Sequence, residues 1–258
     1  MKGVDYSWSR PDPKALKKAG VKFVCRYLSY RTDGKNLTLD EARKLNAAGI
    51  SIVSNWENSA GDLLGGYSAG VKHATEANKQ HRKAGGPDTA PIYFSVDFDA
   101  TSAQLRTCYE YLRGAASVLG WDRVGVYGGY AAIKYMQSKG VKYLWQTYAW
   151  SGGKWVSGVH IQQYKNNVNF AGGYVDHNRG MQSNIGQWKV GDNVGLLSKI
   201  KLSAWAQRHW KIGPTQDTNA TFAEMYVYAR NASDQTTEIV DRLEALQKQV
   251  DALAKKIK

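Results

Sequence analysis

The sequence predicts an α/β fold: a (β/α)8 TIM-like barrel with abbreviated last units, followed by a C-terminal coiled-coil helix. Two observations predict the barrel and a third the helix. Eight short runs rich in β-branched and aromatic residues recur between residue 3 and about residue 180. Amphipathic helical patterns separate most of the earlier runs, the alternation of a parallel sheet wrapped by helices. Beyond residue 236, apolar residues advance in steps of three and four, the a/d repeat of a coiled coil. An open doubly wound sheet is the alternative that the same alternation allows.

In chain order, the strand candidates begin with GVDYSW at 3–8, KFVCRYLS at 22–29, SIVSNWE at 51–57 and PIYFSVDFD at 91–99. RVGVYGG at 123–129, YLWQTYAW at 143–150, VHIQQYK at 159–165 and GYVDHN at 173–178 complete the eight. TLDEARKLNAAG reads as a helix, with Thr38 and Glu41 at capping-box spacing and Gly49 at its end. YSAGVKHATEANKQHRKAGG and SAQLRTCYEYLRGAASVLG read the same way, and YAAIKYMQSKG is a shorter version. After the sixth strand the helices thin to loops. The barrel is expected over 1–188, a connecting segment with helical parts over 189–231, and the coiled-coil helix over 232–258. Thr236, Ile239, Leu243, Leu246, Val250, Leu253 and Ile257 form its seam, so a homo-oligomer through residues 236–257 is expected. The same stripe also suits one amphipathic helix docked on its own barrel.

Composition narrows the function classes. The chain has 258 residues, 43% of them hydrophobic, and a mean hydropathy of -0.51, which suits a soluble globular protein. No apolar run is long enough to span a bilayer, and the start, MKGVDYSW, lacks the apolar core of a signal peptide. Any extracellular role then needs lysis or another export route. Cys25 and Cys108 fall in a predicted strand and a predicted helix and read as buried thiols. A formal charge of +13 favours polyanionic partners. The cations are dispersed, however, and no zinc-finger, RNA-binding or phosphate-loop pattern accompanies them, so nucleic acid is not the expected partner. His160 and His177 lack zinc-site spacing, and neither a metal nor a cofactor is expected. Nine Trp and sixteen Tyr point instead to a carbohydrate surface, with part of them in the core.

The stretch YFSVDFDA carries the chemistry. In a strand, Ile92, Phe94, Val96 and Phe98 share one face and Tyr93, Ser95, Asp97 and Asp99 the other. Two carboxylates on adjacent same-face positions, roughly 7 Å apart, repel unless a metal, a proton, cationic neighbours or a catalytic task accounts for them. The same parity turns Ser51, Val53, Asn55 and Glu57 inward on the third strand and sets Glu57 at the barrel mouth. Asp5 on strand one and Asp176 on strand eight are neighbours in a closed barrel, with Asp97 and Asp99 across the mouth. Singly, each acid suits a cap, a turn, an ion pair or a cation; together they suit glycoside hydrolysis, which needs a protonated carboxyl and a second carboxylate. Tyr6, Trp8 and Trp56 are candidates to stack on sugars. Tyr127, Gln146, Tyr148, Gln163 and Tyr164 are candidates to orient N-acetyl or hydroxyl groups, although each alone equally suits packing.

GVDYSW, the strand ending in VDFD, and GYVDHN after an IQQY strand resemble the glycoside hydrolase family 25 lysozymes. IYFSVDFDA, WQTYAW and VHIQQY are most similar to a related glycoside-hydrolase-like domain of actinobacteria and their phages. The resemblance covers about residues 1–185. It implies hydrolysis of peptidoglycan glycan strands by a phage lysin made in the cytoplasm and released to the wall, or carried on a virion. It also implies an acidic site of Asp5, Asp97, Asp99 and Asp176. In the lysozymes the second carboxylate of the strand-four pair is usually a glutamate acting as general acid; here it is Asp99, one methylene shorter, with Glu57 the second candidate. Asp97 is then the stabiliser or base, and Asp5 and Asp176 tune the pKa values and position water. The alternative is a wall carbohydrate-binding protein without catalysis, multimerised by its coiled coil.

Overall fold

The computed structural model describes residues 1–191, and the connecting segment from residue 192 and the heptad seam over 236–257 lie outside the described residues. The strands are β1 (Lys2–Asp5), β2 (Phe23–Leu28), β3 (Ser51–Trp56), β4 (Ile92–Ser95), β5 (Val124–Gly128), β6 (Tyr143–Thr147), β7 (Ile161–Phe170) and β8 (Gly173–Gly180). They close in sequence order into a barrel. The helices α1 (Pro13–Lys18), α2 (Leu39–Ala47), α3 (Gly66–Lys83), α4 (Ser102–Leu119) and α5 (Tyr130–Ser138) cover the first six strands. The short α1 has too few turns to show as a periodic pattern; Asp12 caps it by accepting from the backbone N–H groups of Lys14 and Ala15. The full capping box falls at α4, where Thr101 and Gln104 bond reciprocally.

The last two strands depart from a regular (β/α)8 barrel. β8 runs antiparallel to both β7 and β1. Phe170 pairs with Gly173, so only Ala171 and Gly172 connect the two strands. Their φ values of 54° and 84° suit the two-residue hairpin turn whose twist matches the strands. Two residues leave no room for the helical crossover that a parallel return requires.

Alternation along the strands divides the core in two. Phe23, Cys25, Val53, Tyr93, Tyr127, Tyr143, Trp145, Ile161 and Ile185 form one buried cluster, which fills the barrel. Val24, Ile52, Trp56, Phe94, Val126 and Leu144 take the opposite parity and pack with the helices. Cys25 and Cys108 are both buried free thiols. Among the described helices none is long and apolar enough to cross a membrane.

α3 and α4 meet backbone to backbone. A Cβ on Gly70 would lie 2.0 Å from the Tyr111 carbonyl oxygen, and one on Gly114 would lie 2.1 Å from that of Tyr67. Because backbone cannot yield as a side chain does, Gly114→Ala is expected to destabilise the protein by about 1–3 kcal/mol or more. Urea unfolding of the variant beside wild type measures this.

Candidate active site

The antiparallel turn of β8 builds the centre of the site. Its register sets Asp176 directly opposite Asp5 on β1. Asp5 is 1% exposed, and three side chains address it. The Tyr27 hydroxyl donates to Oδ1 at 2.8 Å, and the amides of Gln163 and Asn178 both donate to Oδ2, at 2.9 and 2.6 Å. Gln163 Nε2 also reaches Asp176 Oδ2 at 3.2 Å and so bridges the two carboxyl groups. Between Lys165 and Val168 the β7–β8 register slips, and Asn167 takes a φ of 54°. That irregularity turns the Asn167 N–H onto Asp176 Oδ1 at 2.7 Å, the re-aiming that bulges commonly provide.

Across the mouth, Glu57 and Asp97 follow the ends of β3 and β4. The Lys35 ammonium, itself almost fully buried, bonds Glu57 Oε1 at 2.7 Å. Asn55 and Ser95 hydrogen-bond each other between the two strands. Asp97 is partly buried.

Burial dominates the electrostatics. It pushes Asp5 up to about 7, the Asp176 charge adds to the effect, and the bonds from Gln163, Asn178 and Tyr27 oppose it. Asp176 is raised by burial and by Asp97, against the Asn167 N–H. Asp97 is raised by burial, against Lys35. Glu57 is raised by burial and by Asp97, against Lys35 and Ser95. The four carboxyl groups are thus linked in a chain, Asp5 to Asp176 to Asp97 to Glu57, and burial shifts each toward its protonated form.

Asp99 stands apart from that group. β4 ends at Ser95, and the chain then leaves the sheet toward the Thr101 cap of α4, so the strand parity no longer governs residue 99. Asp99 is exposed and has no hydrogen-bond or ion-pair partner among the described residues. Three of the expected substrate contacts are corrected by parity. Trp56 points away from the barrel interior and is fully buried, its ring 5.2 Å from that of His73. Gln146 is likewise buried on the outer side, tied to Ser151, Lys154 and Val156 in the loop after β6. Tyr164 alternates with the inward Gln163 and lies outside, under the Arg179 guanidinium at 5.1 Å. Tyr6 lines the mouth cleft, but its ring is buried against Arg26. Tyr127 is buried below the mouth and donates to Gln163 Oε1 at 2.9 Å. Trp8 and Tyr148 are exposed.

Sequence reasoning missed several members. Tyr27 and Asn178 share strand faces with Cys25 and Asp176 and were open to the parity rule. Lys35 and Asn167 sit in a loop and a bulge, where no such rule applies. Tyr174, 60% exposed, lines the cleft of about 100 Å³ beside Asp5 and Asp176. Among the described residues, no cluster of His, Cys, Asp and Glu has metal-binding geometry.

A barrel with carboxyl groups gathered at one mouth defines a glycoside-hydrolase-like protein. The Rv2525c-like, glycoside hydrolase-like domain family matches residues 14–242, and the chain belongs to that family. Mycobacterium tuberculosis Rv2525c, whose name gives it a proposed peptidoglycan hydrolase activity, is 35% identical over 199 residues, 72% of this chain and 82% of that protein. The crystal structure of that Tat-secreted protein with L-tartrate superposes with a TM-score of 0.69 at 34% identity, covering 72% of this chain and 98% of that one. The lysozyme of Streptomyces coelicolor shares the fold, with a TM-score of 0.51 at 15% identity over 71% of this chain and 93% of that one.

The raised Asp5 has a consequence for stability. A carboxyl raised on folding from 3.8 to about 7 stabilises the fold fully below the lower value. That contribution is lost as pH rises through the higher one. Asn at position 5 mimics the protonated acid, with its oxygen toward Gln163 and Asn178 and its amide toward Tyr27. Denaturant unfolding across this window is expected to show a loss of stability toward alkaline pH in wild type that is smaller in Asp5→Asn.

Proposed function

We propose that the mouth hydrolyses the glycan strands of peptidoglycan, with Asp97 as proton donor and Asp176 as the carboxylate facing the developing sugar cation. The observation that carries this reading is that Asp97 and Asp176 both stay partly open to solvent at the mouth, with the Asp97 charge felt at Asp176. Burial raises the Asp97 carboxyl above its ordinary value, against Lys35, the direction that a general acid needs. When the glycosidic bond breaks, the proton passes to the leaving oxygen, and water supplies hydroxide to the sugar carbon and restores the acid. Asp5, too buried to touch substrate, holds Asp176 in place through Gln163. Glu57 remains paired with Lys35, whose ammonium opposes the proton on Asp97. Trp8, Tyr148 and Tyr174 present exposed rings for sugar stacking.

The family membership and the relative named for peptidoglycan hydrolysis support this substrate. In the same reading the protein is a phage lysin, made in the cytoplasm and reaching the wall by lysis or another export route. Residues 236–257 then join copies and multiply individually weak wall contacts.

Mass spectrometry of fragments released from purified cell wall tests the assignment. Asp97→Asn is expected to lose about 10²–10⁴-fold in release rate, and Asp99→Asn far less. A dead Asp99→Asn beside an active Asp97→Asn reverses the two roles. Wall binding without release by wild type replaces the enzyme with a carbohydrate-binding protein, the reading that the isolated Asp99 favours.

A further inference from the structure

We infer that Trp145 is a positioning residue for Asp5: acting through Asn178, it confines the Asp5 proton to Oδ1, facing Tyr27, and leaves Asp176 as the charged member of the pair.

The inference follows from which groups can donate. Trp145 is fully buried inside the barrel, and its indole N–H can only donate. It lies 2.8 Å from Asn178 Oδ1, so that atom must be the amide oxygen, and the Asn178 NH2 must face Asp5 Oδ2. Gln163 takes the matching orientation because its other end faces two carboxyl groups, which accept. Its Oε1 takes the Tyr127 hydroxyl, and its Nε2 serves both carboxyl groups. The Tyr127 and Trp145 rings hold each other edge to face, with centroids 4.7 Å apart. One aromatic pair beneath the site therefore bonds both amides, and its indole orients that of Asn178.

Asp5 Oδ2 then accepts two N–H donors, and a proton there would point at them. Oδ1 meets only the Tyr27 hydroxyl, which can donate or accept. Neutral Asp5 donates from Oδ1 to the Tyr27 oxygen; when Asp5 ionises, the phenol turns and donates instead. The groups facing Asp5 are Cys25 and Tyr27 on β2, Tyr127 on β5, Gln163 on β7, and Asp176 and Asn178 on β8. Of these, Asp176 alone is another carboxyl group. Asp176 accepts from Gln163 on one oxygen and from the Asn167 backbone on the other, and it is partly exposed where Asp5 is buried, so water favours the charge on Asp176. Tyr27 and Asp5 both line the mouth cleft.

The catalytic consequence rests on the reading of the mouth as a glycosidase site, whereas the titration does not. Carboxyl-carbon NMR of the full chain, without substrate, reads Asp5 and Asp176 directly. In wild type the Asn178 and Gln163 side-chain amides and the Tyr27 ring carbon bearing the hydroxyl are expected to move with the Asp5 midpoint. A silent Tyr27, or Asp176 protonating before Asp5 as pH falls, overturns the inference. In Trp145→Phe, which keeps a ring but loses the N–H, the freed Asn178 amide is expected to let the Asp5 midpoint move to higher pH. The pH profile of wall-fragment release is expected to shift with it. An unchanged midpoint in folded Trp145→Phe also overturns the inference, and if that variant does not fold, the wild-type titration alone decides. Absence of release with the expected titration would instead count against the glycosidase reading.

Discussion

Two carboxyl groups placed opposite each other on neighbouring strands impose the constraint around which the mouth is organised. Asp5 and Asp176 occupy paired positions of β1 and β8, where like charges directly opposite destabilise a sheet. Two ionised groups there, one of them buried, would be costly; one proton and several donors make the pair tenable. Gln163, Asn178, Tyr27 and the Asn167 backbone N–H supply those donors. The indole of Trp145 and the phenol of Tyr127 in turn hold the amides. Much of the polar interior of this barrel is thus the supporting shell of two carboxyl groups.

The opposite side of the mouth uses a different device. There a buried ammonium, Lys35, bonds Glu57 and works against the proton on Asp97. One side is governed by neutral donors and the other by a cation. The environments of the four acids therefore differ although their side chains are almost the same chemically. Such differences allow carboxyl groups in one site to take separate roles.

The eight strands, the helices α2 to α5 and the inward direction of Asp5, Glu57 and Asp97 were legible in the sequence, because burial on both faces and the period of two leave a plain imprint. The reversal of β8 was not. A period-two pattern carries no direction, and the sequence reading has only a thinned loop between the seventh and eighth strands. FAGGYV did hold a signal, since two small residues between strand patterns leave room only for a hairpin. Trp56, Gln146 and Tyr164 were chosen as sugar contacts for their chemistry, although the parity applied to Glu57 would have turned all three outward. Lys35 and Asn167 depend on a loop path and a bulge, which are set by tertiary packing rather than by local pattern.

The close approach of α3 and α4 at Gly70 and Gly114 bears on how the two sides of the mouth are held. β3 and β4 lead into those helices, so Glu57 and Asp97 ride on one stiff slab. Asp176 is held instead by strand pairing, with β1 on one side of β8 and β7 on the other. The two sides of the mouth thus rest on different supports, helix backbone against helix backbone on one and strand hydrogen bonds on the other.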